Sequence, residues 1–93
     1  MIHFVVHGPR DSTGVVVVEG VRAGDALDGW VMDGDHSLTI TAVEDIPIGH
    51  KLALHAIASG DTIIKYGHDI GRAIADIQAG AHLHVHNVKT KRW

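Results

Sequence analysis

Three histidines occupy alternate positions in His82-Leu83-His84-Val85-His86, and Asn87 follows them. Along a β-strand, successive side chains point to opposite faces, so residues two apart share a face. The pattern predicts three imidazoles projecting one way, with Leu83 and Val85 projecting the other. Neutral ring nitrogens on a rigid strand suit a metal ion or an anionic ligand. An isolated His-x-His pair is more often a solvated strand face. Three in register, in a chain with nine histidines, tip the reading toward metal or anion binding. Strand geometry then restricts the site. Residues four apart along a strand are separated by about 13 Å, whereas metal-bound nitrogens lie about 2.0–2.1 Å from the ion. One ion can take two neighbours of the trio but not all three from an extended strand. His84 and His86 are therefore the expected ligands, with His82 in support or on a substrate. His50, His55, His68, a carboxylate, a substrate or another chain would have to complete the set.

A second constellation is Gly49-His50-Lys51 with Lys65-Tyr66-Gly67-His68. Lys51 and Lys65 could hold a carboxylate or sulfonate, and Tyr66 or a histidine could move a proton. Spacing alone fits two surface lysines near turns better. Asp11-Ser12-Thr13-Gly14 has neither the lysine nor the following helix of a phosphate loop and reads as a plain turn. No cysteine is present, which excludes thiolate ligands, a Cys nucleophile and a disulfide framework.

The elements that must position these residues are short. An apolar residue, two variable residues and glycine recur at Val21–Gly24, Ile46–Gly49, Ile57–Gly60 and Ile77–Gly80. Irregular spacing between the copies excludes a solenoid. The phrase reads as a repeated tight turn whose glycine supplies φ > 0. Segments 2–6, 14–19, 30–32, 37–43, 50–57, 62–66 and 82–88 alternate or are rich in β-branched residues, as strands are. The expected class is mainly β, a clip or small barrel of short strands and glycine turns. Segment 69–79 stays open between a strand and a short helical turn, because Ile70, Ile74 and Ile77 fall at i, i+4, i+7 while Gly71 weakens a helix.

Ninety-three residues make one domain. With only 4% aromatic residues, the core must come from Val, Ile, Leu and Ala. A net charge of -3, with no basic stretch except at the extreme C-terminus, argues against nucleic-acid binding. No run approaches the ~20 apolar residues of a membrane helix, and the N-terminus lacks the features of a signal peptide. The expectation is a soluble, cytoplasmic protein that does not bind membranes. The basic tail 89–93, ending in Trp93, reads as a frayed end or an anchor for a partner.

From position 45 onward, three segments occur in a telling order: Ile46-Pro47-Ile48-Gly49-His50-Lys51, Lys65-Tyr66-Gly67-His68-Asp69-Ile70-Gly71, and, after Asp76-Ile77 and Gly80, His82-Leu83-His84-Val85-His86-Asn87. Together they resemble the SAF domain of the altronate/galactarate dehydratase family, densely in the C-terminal half and loosely in the N-terminal half. Leu83 stands where the family more often has Val. The resemblance implies a β-clip fold. It also implies β-elimination from an anionic 2-hydroxy acid, aided by a divalent metal with ferrous iron expected. A free-standing chain of this length resembles the small subunit of two-chain members. That implies a large catalytic subunit as partner, with pairing between copies of the chain left open. 3-Sulfolactate, yielding pyruvate and sulfite, is the first substrate expected, and a sugar acid such as altronate or galactarate the second. The roles implied are His84 and His86 on the metal, His50, Lys65 and Tyr66 in catalysis, and Lys51, His82 and Asn87 on the substrate. The competing reading is a non-catalytic SAF module that binds a carbohydrate or other ligand without turning it over. Metal storage through scattered histidines is a weaker third.

Overall fold

The computed structural model describes residues 1–65, 68–84 and 86–89. Nine strands carry the fold: β1 (Phe4–Val6), β2 (Thr13–Val16), β3 (Ala26–Val31), β4 (His36–Thr41), β5 (Lys51–Ala53), β6 (Thr62–Lys65), β7 (His68–Ala73), β8 (His82–Leu83) and β9 (Val88–Lys89). The larger sheet has the order β4-β3-β1-β2-β5-β8, and the smaller one β6-β7-β9. All pairs are antiparallel except β1 with β3. The mainly β expectation holds, and no helix occurs among the described residues.

The open choice at 69–79 resolves without a helix: 69–73 belong to β7, and 74–79 form a bend leading into the glycine turn. β7 runs through Gly71 and pairs with both β6 and β9. A bulge interrupts its register with β6, because Ile63 faces Gly71 while Ile64 faces Asp69. The Asp69 carboxylate accepts the Gly71 N–H at 3.0 Å, a local bond that competes with helix. Ile74, which a helical stripe would have buried, is 45% exposed.

The four glycine turns are the organising device, and they work in pairs. Val21 bridges Ile46, and Ile57 bridges Ile77. The two pairs are built alike. Gly24 N–H donates to the Ala42 carbonyl at 2.7 Å, and Gly60 N–H to that of Ala73 at 2.8 Å. Ala23 N–H donates to the Asp45 carboxylate at 3.0 Å, and Ser59 N–H to that of Asp76 at 2.8 Å. The likeness reaches the chain's beginning. His3 N–H donates to the Asp28 carbonyl, and Ser12 N–H to that of Ile64, each at 2.8 Å. The His3 ring nitrogen accepts Asp28 N–H at 2.9 Å, where the Ser12 hydroxyl accepts Ile64 N–H at 3.2 Å. The same backbone hydrogen-bond pattern thus occurs twice, carried by unlike side chains.

Each half has its own core. Phe4, Val16, Leu27, Ile46 and Leu52 centre the first. Ala53, Ile57, Ile63, Ile77 and Leu83 centre the second. Leu52 and Ala53 are neighbours on β5 and point to opposite faces, so this strand is the wall between the cores.

Candidate metal and anion site

The site forms where β5 meets β8. Leu52 pairs with His82 across this short antiparallel ladder, and residues directly opposite each other share a face. His50 lies two residues before Leu52, on the same face, so its ring meets that of His82. The two nitrogens, His50 Nδ1 and His82 Nε2, are 2.7 Å apart, a hydrogen bond in which one ring donates and the other accepts. His84 stacks on His50 with centroids 4.1 Å apart and planes inclined by 19°. One ring nitrogen from each of His50, His82 and His84 lies within 4.8 Å of the others.

Strand β8 ends at Leu83, two residues into the segment expected to stay extended. The chain turns there. Asn87 N–H and Val88 N–H both donate to the His84 carbonyl, at 3.1 and 3.0 Å. Asn87 clasps the turn from inside: its carboxamide oxygen accepts His84 N–H at 3.0 Å, and its amide donates to the His82 carbonyl at 2.8 Å. The shared-face picture of three imidazoles on one straight strand is thereby corrected. The turn folds His86 back until its ring is 5.0 Å from that of His82, far closer than a strand permits. Among the described residues, the set within reach of one ion is His50 with His82 and His84, while His86 flanks His82. Asn87, expected on the substrate, spends both ends of its side chain on the backbone that carries the imidazoles. Of the three histidines considered for completing the set, His50 joins it. His55 turns its ring nitrogen to the Ala56 carbonyl at 2.9 Å, and neither it nor His68 belongs to the cluster.

The electrostatics favour neutral rings. His82 is held below the ordinary imidazole value by burial, then by His50, His86 and His84, with Glu44 opposing. His84, although exposed, is lowered by desolvation and by His50, Lys51 and His86. A neutral imidazole is the form that binds a metal. Lys51 is half-buried on β5, and burial together with Lys65 pulls its ammonium below the usual lysine range. Lys51 thus acts on both Lys65 and His84, and a cation beside the imidazoles suits an anion. Tyr66, expected among the catalytic groups, and the tail from Thr90 to Trp93 lie outside the described residues.

Glu44 belongs to the site and escaped sequence reasoning. Its carboxylate accepts His82 N–H at 2.7 Å from 38 residues away. Nothing in the local sequence marks it, because the contact depends on the pairing of distant segments.

The family model for the altronate/galactarate dehydratase SAF domain matches residues 2–91. The (2R)-sulfolactate sulfo-lyase subunit alpha of Chromohalobacter salexigens is 59% identical over 92 residues, which span 99% of this chain and 98% of that one. The protein of the same name from Paracoccus pantotrophus is 55% identical over 64 residues, 68% of this chain and 96% of that one. The altronate dehydratase of Escherichia coli is 46% identical over 70 residues, 75% of this chain but 14% of the relative.

Proposed function

Because the chain belongs to the altronate/galactarate dehydratase SAF domain family, we propose that it is the small subunit of a two-chain lyase that eliminates a leaving group from C3 of an anionic 2-hydroxy acid. 3-Sulfolactate is the substrate this reading favours. The relatives matched along nearly their whole length are named for a sulfolactate sulfo-lyase, whereas altronate dehydratase is matched over a small part of its length. In the reaction, the C2 proton leaves, the C3–S bond breaks with its electron pair going to sulfite, and the enol becomes pyruvate.

The observation that carries the reading is the cluster of three imidazoles with Lys51 beside it. The donor set fits a divalent metal. Nitrogens about 2.1 Å from one ion lie at most ~4.2 Å apart, so a small movement of the exposed His84 ring would close the observed 4.8 Å. Ferrous iron, which accepts imidazole, would supply Lewis acidity to the substrate carboxylate and 2-hydroxyl, offsetting charge that builds up when C2 loses its proton. His50, His82 and His84 would hold the metal. Lys51 and Lys65 would bind the carboxylate and sulfonate, and Lys65 with Tyr66 would carry protons. Asn87 and Glu44 would fix the backbone of the imidazole loop.

The test has two parts. Cobalt(II) titration, read by visible absorption, should lose its signal in His50→Ala and His84→Ala and keep it in His86→Ala. In the reconstituted complex with the large chain under anoxic ferrous iron, His84→Ala should abolish sulfite release from sulfolactate while the circular dichroism spectrum stays unchanged. Full activity in His84→Ala would refute its role. Dehydration of altronate or galactarate in place of sulfite release would move the substrate to the sugar acids. Tight ligand binding by the lone chain, with no turnover in any complex, would favour the non-catalytic module.

A further inference from the structure

An open groove of about 670 Å³ is lined by Met1, Val17 and Ile48, with Glu19, Asp25 and His3 beside them. Three of its apolar residues stand in water: Met1 is 88% exposed, Val17 42% and Ile48 49%. The four glycine turns provide an internal control for Ile48. The third position of the turn is Ala23, Ile48, Ser59 or Ala79, and it is exposed in every copy. The turn is closed by backbone bonds, such as Asp61 N–H to the Ala58 carbonyl at 3.0 Å and His50 N–H to that of Pro47 at 3.1 Å. The fold therefore asks nothing of this side chain, and three copies place Ala or Ser there. Only the second copy displays a large hydrocarbon, which is unfavourable to leave in water.

That same turn ends at His50. A molecule covering Ile48 would abut the imidazole cluster two residues further on. Glu19 and Asp25 make the groove acidic in a chain of net charge -3. Two copies meeting groove to groove about a two-fold axis would set these carboxylates against each other. An apolar contact with a polar rim is the usual anatomy of a protein interface, and here the like charges of the rim favour a partner that brings the opposite sign.

We propose that this groove is the docking site for the large subunit, which enters with an apolar segment flanked by lysine or arginine and is thereby brought against the His50 side of the imidazole cluster. The inference rests on the small-subunit reading above. Its test is binding of purified large chain, by isothermal titration, to this chain and its variants. Ile48→Glu should weaken binding by about tenfold or more, and Glu19→Lys should weaken it and flatten its salt dependence. Ser59→Glu, at the equivalent turn position of the other half, should change affinity by less than about twofold. All three sites are exposed, and circular dichroism verifies folding. Wild-type affinity in both Ile48→Glu and Glu19→Lys overturns the proposal. So does a wild-type homodimer that Ile48→Glu dissociates while the large chain still binds. A wild-type chain that binds no large chain under any condition fails the small-subunit reading itself, and the groove proposal with it.

Discussion

Replacing turn glycines with alanine should separate two effects that usually come mixed. Gly24, Gly49, Gly60 and Gly80 sit at φ of +93°, +84°, +90° and +84°. A β-carbon at the first three would meet nothing within 4 Å, whereas at Gly80 it would collide with the Thr41 carbonyl oxygen. Left-handed backbone costs an L-residue about 1–2 kcal/mol. The stiffer unfolded chain returns about 0.4–1 kcal/mol of that, so Gly60→Ala should destabilise by about 1 kcal/mol. Gly80→Ala carries the same penalty, and the Thr41 carbonyl must also move. That movement strains two bonds, from Val43 N–H to the Gly80 carbonyl (3.1 Å) and from Gly80 N–H to that of Ala53 (2.8 Å). At about 0.5–1.5 kcal/mol per hydrogen bond, the total approaches ~3 kcal/mol. For a domain of this size 1 kcal/mol corresponds to about 4–8 °C in Tm. Gly60→Ala should then melt about 4–8 °C below wild type and Gly80→Ala at least about 12 °C below it. Thermal circular dichroism with urea denaturation measures both. Melting temperatures within ~2 °C of each other would refute the reasoning, because the collision would then be relieved without loss.

Further outcomes follow from the site and its supports. Asn87→Leu removes both clasp bonds and should destabilise the chain by about 1–3 kcal/mol; Asn87→Asp, which keeps the acceptor for His84 N–H, should cost less, as compared by urea midpoints. The buried Thr13 hydroxyl has no partner, so Thr13→Val should stabilise by about 1 kcal/mol, seen as a higher urea midpoint at unchanged slope. The lowered pKa values of His82 and His84 mean that the unfolded chain takes up protons first as pH falls through about 6.5. Stability of the metal-free chain should therefore be full above that pH and decline toward the lower folded values. Tm at pH 7.5 and 5.5 tests this, and His84→Gln should flatten the difference.

The turns were legible because their glycines answer a backbone demand that few other residues can meet. The strands were legible from alternation, although β3 begins four residues before the expected 30–32. The recurring backbone pattern was not legible, since like backbone donors are received by a histidine ring in one half and a serine hydroxyl in the other. The histidine run was only half legible. Its residue types announce the chemistry, but Asn87 converts the strand into a turn. Asparagine is a turn former whose side chain bonds nearby backbone, so its place after His86 was the available signal. The entry of His50 and Glu44 depends on segments 32 and 38 residues away from His82, and no local pattern records such pairings.

Strand β2 has a consequence for how the molecule comes apart. It is hydrogen-bonded to β1 on one edge and β5 on the other, and Ser12, just before it, does in the second half what His3 does in the first. The halves are linked like two rings that share a segment. Neither can fray while the other persists, so unfolding should be a single event in which amide protons of both cores become exchangeable together. A chain divided in the 43–45 turn should yield fragments that are disordered apart and ordered when mixed, each supplying strands the other needs.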